Sequence, residues 1–361
     1  MQNKKNIYRL AIILTMSVLV VNSTIFASWN AGLPGSIFRM PVGAWASGMG
    51  GAVSADPDYM LSWYNPSRLP NLRDSRAALG MGMRSLGRTE AWASYDFRVP
   101  PRVGMGMSLV YRGDPFVNNL FDGYYDGNEV VEEFALNSAA WSALSLKIGA
   151  GYLVSRQLSL GGSVAVNYQS LPTTPELDGS IKHSTVTSIG AMDIAASYRM
   201  TPNLLLSVSV KNLMSRNSWQ MYSQNAFSPV VDEVVPPIFV LGSSHKLTFL
   251  ERDFVWNADA AIFLFDGEGK YIERPEIVLA AGARWEFSDM ITLRTGIADI
   301  ELSAETFSNN YGHQGNFSPR LTIGFSYALP KFGKGAVINY ALLTDRIWAG
   351  VDQQLDFAIS F

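Results

Sequence analysis

Leu144-Ser145-Leu146-Lys147-Ile148-Gly149-Ala150-Gly151-Tyr152-Leu153-Val154 decides the fold of this chain. Leu144, Leu146, Ile148, Ala150, Tyr152 and Val154 are apolar, and Ser145, Lys147, Gly149 and Gly151 lie between them. A period of two over this length is the mark of a strand with one apolar face. The pattern recurs at Leu158, Leu160, Val164, Val166 and Tyr168, at Leu204, Leu206, Val208 and Val210, at Leu321, Ile323, Phe325 and Tyr327, and at Leu355, Phe357, Ile359 and Phe361. These runs exceed the five or six residues, roughly, of an ordinary strand. They reach the ~9–11 that cross a bilayer at a tilt. The apolar set then meets lipid, and the Ser, Gly, Lys and Asn set lines a lumen.

Fourteen strands are predicted, at 75–84, 88–99, 102–112, 139–154, 157–170, 185–199, 203–213, 237–249, 253–265, 276–287, 290–299, 318–329, 334–344 and 352–361. After the first hairpin, whose outer loop near Ser85–Gly87 is short, their connections alternate in length. Short links fall at Pro100–Pro101, Ser155–Gln157, Met200–Pro202, Leu250–Arg252, Ser288–Asp289 and Pro330–Gly333, and long ones at 113–138, 171–184, 214–236, 266–275, 300–317 and 345–351. Bacterial barrels have short periplasmic turns and longer outer loops. The fold class is therefore all-β, a 14-stranded antiparallel transmembrane barrel over residues 75–361.

At the other end, Lys4, Lys5 and Arg9 precede an apolar run from Leu10 to Val21, and a polar stretch leads to Ala27. This is the charged, apolar and small-residue order of a secretory signal. It places a cleaved signal peptide at 1–27 and sends the chain through the periplasm to the cell outer membrane. The run is shorter than the ~20 residues a spanning helix needs. Charged residues make up only 16% of the chain, against roughly 25% in soluble domains. The net charge of −3 offers no basic field to nucleic acid.

Residues 28–74 do not alternate. They contain Trp45-Ala46-Ser47-Gly48-Met49-Gly50-Gly51-Ala52-Val53, then Asp56-Pro57-Asp58, then Trp63-Tyr64-Asn65-Pro66-Ser67. Glycines allow close backbone approach and positive φ, and Asn-Pro marks a turn. A glycine-rich segment ahead of a large barrel suggests a hatch or plug in the lumen; a loosely ordered linker is the plain alternative. No P-loop lysine follows Gly48–Gly51, so a phosphate cradle is not indicated.

The order Gly-Met-Gly-Gly-Ala, an acidic pair, then Tyr-Asn-Pro resembles the N-terminal signature of the FadL-like and PorV-like outer-membrane proteins. Weaker likeness continues through Asp193–Tyr198, Pro202–Leu204, Val210–Leu213 and Glu276–Ile297. The resemblance implies a fourteen-stranded barrel with an N-terminal hatch, and passive transport of hydrophobic molecules such as fatty acids. Its PorV-like branch implies instead a component of protein secretion or surface attachment. The chain departs from the pattern where Ser67 and Arg68 follow Asn65-Pro66, and where Pro57 splits the acidic pair.

The candidate gate residues are Gly48, Gly50, Gly51, Asp56, Asp58, Asn65 and Pro66. Lys147 and Lys211 occupy polar strand positions, so both face the lumen, solvated there or paired with Asp56 or Asp58. Phe116, Phe121, Tyr124, Tyr125 and Trp219 fall in outer loops and are candidates for ligand or partner contact, or for loop packing and an aromatic girdle. The absence of cysteine excludes thiol chemistry and disulfides. His183, His245 and His313 lack metal or triad spacing, His183 and His313 fall in predicted outer loops, and no Gly-x-Ser-x-Gly elbow occurs. No enzyme activity, cofactor or metal is indicated. The barrel contacts outer-membrane lipid, and its last strand, ending at Phe361, looks like the strand read by the barrel assembly machinery. Beside hydrophobic transport and a secretion-system partner, a general porin is the third reading. An arginine at Leu160 would sit in lipid, whereas one at Ser159 would enter a wet lumen and be tolerated better.

Overall fold

In the computed structural model the described residues are 39–113, 120–126, 129–136, 142–170, 174–175, 181–223, 226–227, 231–265, 271–302, 319–332, 335–344 and 350–361. Fourteen antiparallel strands close into a barrel. They are β1 Arg76–Met83, β2 Thr89–Val99, β3 Val103–Gly113, β4 Ser142–Leu153, β5 Leu158–Ser170, β6 Ile181–Arg199, β7 Leu204–Leu213, β8 Ile238–Phe249, β9 Arg252–Phe265, β10 Tyr271–Glu286, β11 Ile291–Leu302, β12 Arg320–Ala328, β13 Val337–Thr344 and β14 Val351–Ser360. Closure runs through β1, where Gly80 pairs with Trp92 of β2 and with Asp356 of β14. Each strand thus has two neighbours, and no edge is left to meet hydrocarbon unsatisfied.

Alternation sets the two faces. On β4 the side chain of Ile148 is 53% exposed while that of Ser145 is 1% exposed. Leu144, Leu146 and Tyr152 share the outer face, and Lys147 the inner. The exposed set around the barrel is a belt of Leu, Ile, Val, Met and aromatic residues. The buried set is rich in Ser, Asn, Asp, Glu and Arg, with an apolar patch of Ile238, Val240 and Phe263 on the inner face of β8 and β9. This inside-out arrangement is stable in lipid and not in water. Among the described residues no helix is long and apolar enough to cross a membrane.

Three strands run past the predicted limits by three residues or more. β6 starts at Ile181, β10 at Tyr271, and β11 reaches Leu302. His183 therefore lies in β6 rather than in a loop. Two predicted outer loops also contain strands. Leu120–Asp126 pairs with Glu129–Leu136, and Arg216–Ser223 pairs with Val231–Val234. These extensions lie beyond the apolar belt, where ladder hydrogen bonds persist without the lipid-facing alternation that marks strands in the sequence.

The described part of the N-terminal segment, residues 39–74, packs against the inner faces of the strands. Its elements are α1 Ala44–Ser47, α2 Leu61–Tyr64 and a 3₁₀ helix over Pro66–Asn71. α1 lies against β12, β13 and β14, α2 against β3 and β4, and the 3₁₀ helix against β3, β4 and β5. Its core is aromatic. Trp45 lies 4.9 Å from Tyr59 and 5.3 Å, edge-on, from Tyr64. Tyr59 stacks on Trp92 of β2 at 5.8 Å. Such ring pairs contribute about 0.5–1.5 kcal/mol each beyond the area they bury.

Candidate functional site

The polar side chains forced inward by the apolar belt are the ones that hold the segment. At the short-turn end, Asp58 receives Arg284 of β10 and lies 3.0 Å from Arg294 of β11. Arg76 at the start of β1 donates to its backbone carbonyl. Asp56 pairs with Arg68 at 3.3 Å and with Arg284 at 3.2 Å. Burial pushes the Asp58 carboxyl upward, but Arg284, Arg294 and Arg76 outweigh it and lower it from 3.8 to about 2.

Along the lumen, three strand carboxylates take backbone amides of the segment, Asp96 nearer the short-turn end, where it lies opposite Arg76. Asp356 of β14 accepts from Ala44 N at 2.6 Å. Asp96 of β2 accepts from Leu61 N at 3.1 Å, and Asp259 of β9 from Ser54 N at 2.9 Å. The short helices cannot satisfy their own first N–H groups, so a wall acceptor is required. Asn257 of β9 donates to Ala52 O at 2.9 Å. Asn65 donates to Ser54 O at 2.6 Å and to Ser197 Oγ of β6 at 3.1 Å. Its Oδ1 accepts from Ser67 N and Ser67 Oγ. Asn65 thus caps the 3₁₀ helix that Pro66 begins, and Ser67, a departure from the family pattern, completes the cap.

Towards the long-loop end, Glu90 of β2 is clasped by Arg84 at 2.8 Å and by Arg112 of β3 at 2.6 Å. Arg84 also meets Asp352 of β14 at 3.2 Å. The arginines donate to the carbonyls of Pro41 at 2.8 Å and Met40 at 3.0 Å, which fixes the start of the described segment.

Glycines in the wall let the segment approach. A Cβ on Gly296 of β11 would lie 2.4 Å from Met49 C and Gly50 N, and one on Gly282 of β10 2.2 Å from Met49 O. Gly48 faces Gly324 of β12 backbone to backbone. Opposite, a Cβ on Gly161 of β5 would lie 2.4 Å from Pro66 C and Ser67 N. Gly50 and Gly51 have φ of 65° and 79°, the left-handed region that favours glycine.

The two lysines are placed otherwise than by pairing with Asp56 or Asp58. Lys147 binds Asp193 of β6 at 2.6 Å and lies 4.9 Å from the Trp63 ring centre. Lys211 of β7 lies 5.9 Å over Tyr64. Arg284 of β10 and Arg294 of β11, with Arg68 of the segment itself, take the acids instead. Trp219 sits on Arg216–Ser223, its Nε1 donating to Glu233 at 3.0 Å. Phe116 lies outside the described residues, as do the side chains of Phe121, Tyr124 and Tyr125, and the proposed signal peptide. The sequence reading missed Arg284, Arg294, Asp96, Asp259 and Asp356. Their signal was available, since each is ionisable and falls on the polar side of a strand. Among the described residues no group of three or more His, Asp or Glu is placed to hold a metal.

These features define a membrane-spanning barrel whose lumen is occupied by its own N-terminal segment. The sequence matches no protein-family model and no curated protein. Among solved structures, the chain is similar to the toluene transporter TbuX of Ralstonia pickettii, at 16% identity and a TM-score of 0.57, covering 89% of this chain and 98% of that one. It is also similar to the toluene transporter TodX of Pseudomonas putida, at 15% identity and a TM-score of 0.55, over 88% and 97% of the chains. A FadL homologue of Pseudomonas aeruginosa matches at 14% identity and 0.53, over 89% and 98%. The chain has the fold of the FadL-like outer-membrane barrels.

Proposed function

We propose that this protein is an outer-membrane channel for hydrophobic small molecules, with residues 28–74 as its hatch. The observation that carries the reading is the occupied lumen. Ion pairs and carboxylate–amide bonds hold residues 39–74 across the bore, which argues against a general porin. Gly48, Gly50, Asp56, Asp58, Asn65 and Pro66 supply its wall contacts and its capped turn, and Gly51 a left-handed turn packed on Pro41. The structural neighbours named as toluene transporters extend the ligand class from fatty acids to small aromatic hydrocarbons. The same outer membrane would be reached by export through the periplasm.

The test pairs two measurements on the full-length protein. In planar bilayers it is expected to conduct ions poorly. In a Gram-negative host lacking its own hydrophobic-uptake channel, it is expected to raise uptake of radiolabelled toluene or oleate. Large steady conductance would favour the porin. Absent uptake by correctly assembled barrel, with secreted proteins recovered on it, would favour the secretion component.

A further inference from the structure

The apolar belt has a hollow that the luminal site does not explain. On its outer face, Ala258 and Ala260 of β9 and Ala281 of β10 form a floor of small residues. Leu241 of β8, Leu279 of β10 and Ile300 of β11 stand around it. The register places them side by side, with Leu241 opposite Ala260, Ala260 opposite Leu279, and Leu279 opposite Ile300. The recess measures about 560 Å³, within the range of roughly 300–1,000 Å³ for small-molecule sites.

A bulge shapes it. Between the Leu279–Ile300 and Ala281–Ile297 pairs, β10 has only Ala280 while β11 has Ala298 and Asp299. Asp299 has φ of 58°. Such bulges bend a strand and re-aim its side chains, and here Ile300 becomes a wall of the hollow.

The same outer face leads from the hollow to the short-turn end. His245 and Trp256 come first, Trp256 Nε1 donating to His245 Nδ1 at 3.3 Å. Next come Phe249, Phe254, Trp285 and Phe287 in edge-on contacts of 5.3–6.1 Å. Such a ring cluster marks a membrane–water interface. Arg252 lies beyond it, at the β8–β9 turn and paired with Asp289. Six residues separate Arg252 from Ala258, about 20 Å along the strand at ~3.3 Å each. With a tilt of ~35–45° that is about 15 Å of depth, half of the ~30 Å hydrocarbon core.

We propose that the hollow is the seat of one acyl chain of a membrane phospholipid from the short-turn leaflet. The phosphate meets Arg252, the chain runs over Trp256, and its distal half enters between Leu241 and Leu279. Arg–phosphate pairing suits such a headgroup. The hydroxyl that lines the hollow, Ser243 Oγ, donates to the backbone carbonyl of Ala258 at 3.4 Å, and among the described residues no cationic side chain lines it, which disfavours a free fatty acid carboxylate inserted head first. Lipid tails are as apolar as leucine, so retention rests on packing in the recess and not on escape from water. The proposal needs only a membrane-spanning barrel and is independent of the transport reading.

The test reconstitutes the full-length protein in vesicles of palmitoyl-oleoyl phosphatidylethanolamine and phosphatidylglycerol. Mild detergent extraction and native mass spectrometry then count the lipids retained. One phospholipid is expected on the wild type. Ala260→Phe, which fills the hollow, should lower the retained fraction several-fold, and Leu279→Ala, which removes a wall, should do the same should the first variant assemble poorly. Ala93→Phe, on the exposed face of β2, should leave retention unchanged. Four outcomes overturn the proposal: no lipid on the wild type, equal retention by Ala260→Phe and Leu279→Ala, a retained mass that is a free fatty acid, or a second copy of the chain in its place.

Discussion

Tyr59, on the luminal segment, donates its hydroxyl hydrogen to Asp356 Oδ1 at 2.6 Å, while Asp356 Oδ2 accepts the Ala44 amide at 2.6 Å. One wall carboxylate thereby ties two points of the segment to β14. Removing the acceptor leaves buried donors unpaired, at about 1–3 kcal/mol each. Asp356→Ala is therefore expected to lower the melting temperature and to open residues 39–74 to protease. Tyr59→Phe removes the donor to Asp356 and the acceptor of Asn339 Nδ2, which keeps Asp356 Oδ1 as a partner, and should cost about 0.5–1.5 kcal/mol. Digestion of Asp356→Ala at the wild-type rate would show that this carboxylate is not an anchor.

The Asp58 cluster gives a pH dependence of defined sign. Its carboxyl is lowered from 3.8 to about 2 by Arg284, Arg294 and Arg76, against the effect of burial. A lowered folded-state value means that the stabilisation is present above the unfolded value and is lost as pH falls through the folded one. Asp58→Asn should be less stable than the wild type from neutral pH down to about 4, and the gap should close between about 4 and 2. Melting of both proteins across that range is the measurement. A gap that stays constant to pH 2 would remove the ion pairs as its cause.

Gly161 and Gly162 are adjacent in β5 and face opposite ways. A Cβ at Gly161 would meet the backbone of Pro66 and Ser67 at 2.4 Å, whereas at Gly162 the nearest atom is Asp193 O at 3.3 Å. Gly161→Ala should displace the 3₁₀ helix and cost about 1–3 kcal/mol, the usual scale of overpacking. Gly162→Ala should fall within about 0.5 kcal/mol of the wild type. Similar melting temperatures for the two would mean that the segment shifts away from the wall at little cost.

The contrast between strands and site explains what the sequence could reveal. Leu144 to Val154 names its own strand because alternation is local, and the register of β4 with β5, from Ser142–Ser170 to Leu153–Ser159, follows from a short turn. The partner of Asp58 is Arg284, 226 positions away, and nothing local in either residue names the other. The same holds for Asp356 and Ala44, 312 positions apart. Gly161 and Gly296 were legible only as polar-side positions. Their service as slots for a second backbone follows from barrel curvature and from the path of residues 39–74, which no periodicity encodes. The hollow at Ala260 depends on a bulge in β11, and a one-residue slip leaves no trace in the alternation of β10.

The packed lumen also changes an expectation drawn from alternation. Leu160 is exposed on the lipid face of β5 two residues from its short-turn end, near the membrane interface, where Leu160→Arg should cost about 0–1 kcal/mol. Ser159, on the inner face, was expected to tolerate arginine in a wet lumen. It is instead buried, with its Oγ accepting from Asn71 Nδ2 at 3.3 Å beside the 3₁₀ helix. An arginine there must displace that helix or bury a charge, and an unpaired buried charge is costly. The two substitutions should therefore act by different routes. Leu160→Arg should insert with at most a modest loss of the heat-modifiable band on gels and keep residues 39–74 protected from protease. Ser159→Arg should insert and expose residues 39–74 to protease. Protection of that segment in assembled Ser159→Arg would mean that the lumen beside β5 has room that the contacts of Asn71 and Pro66 do not indicate.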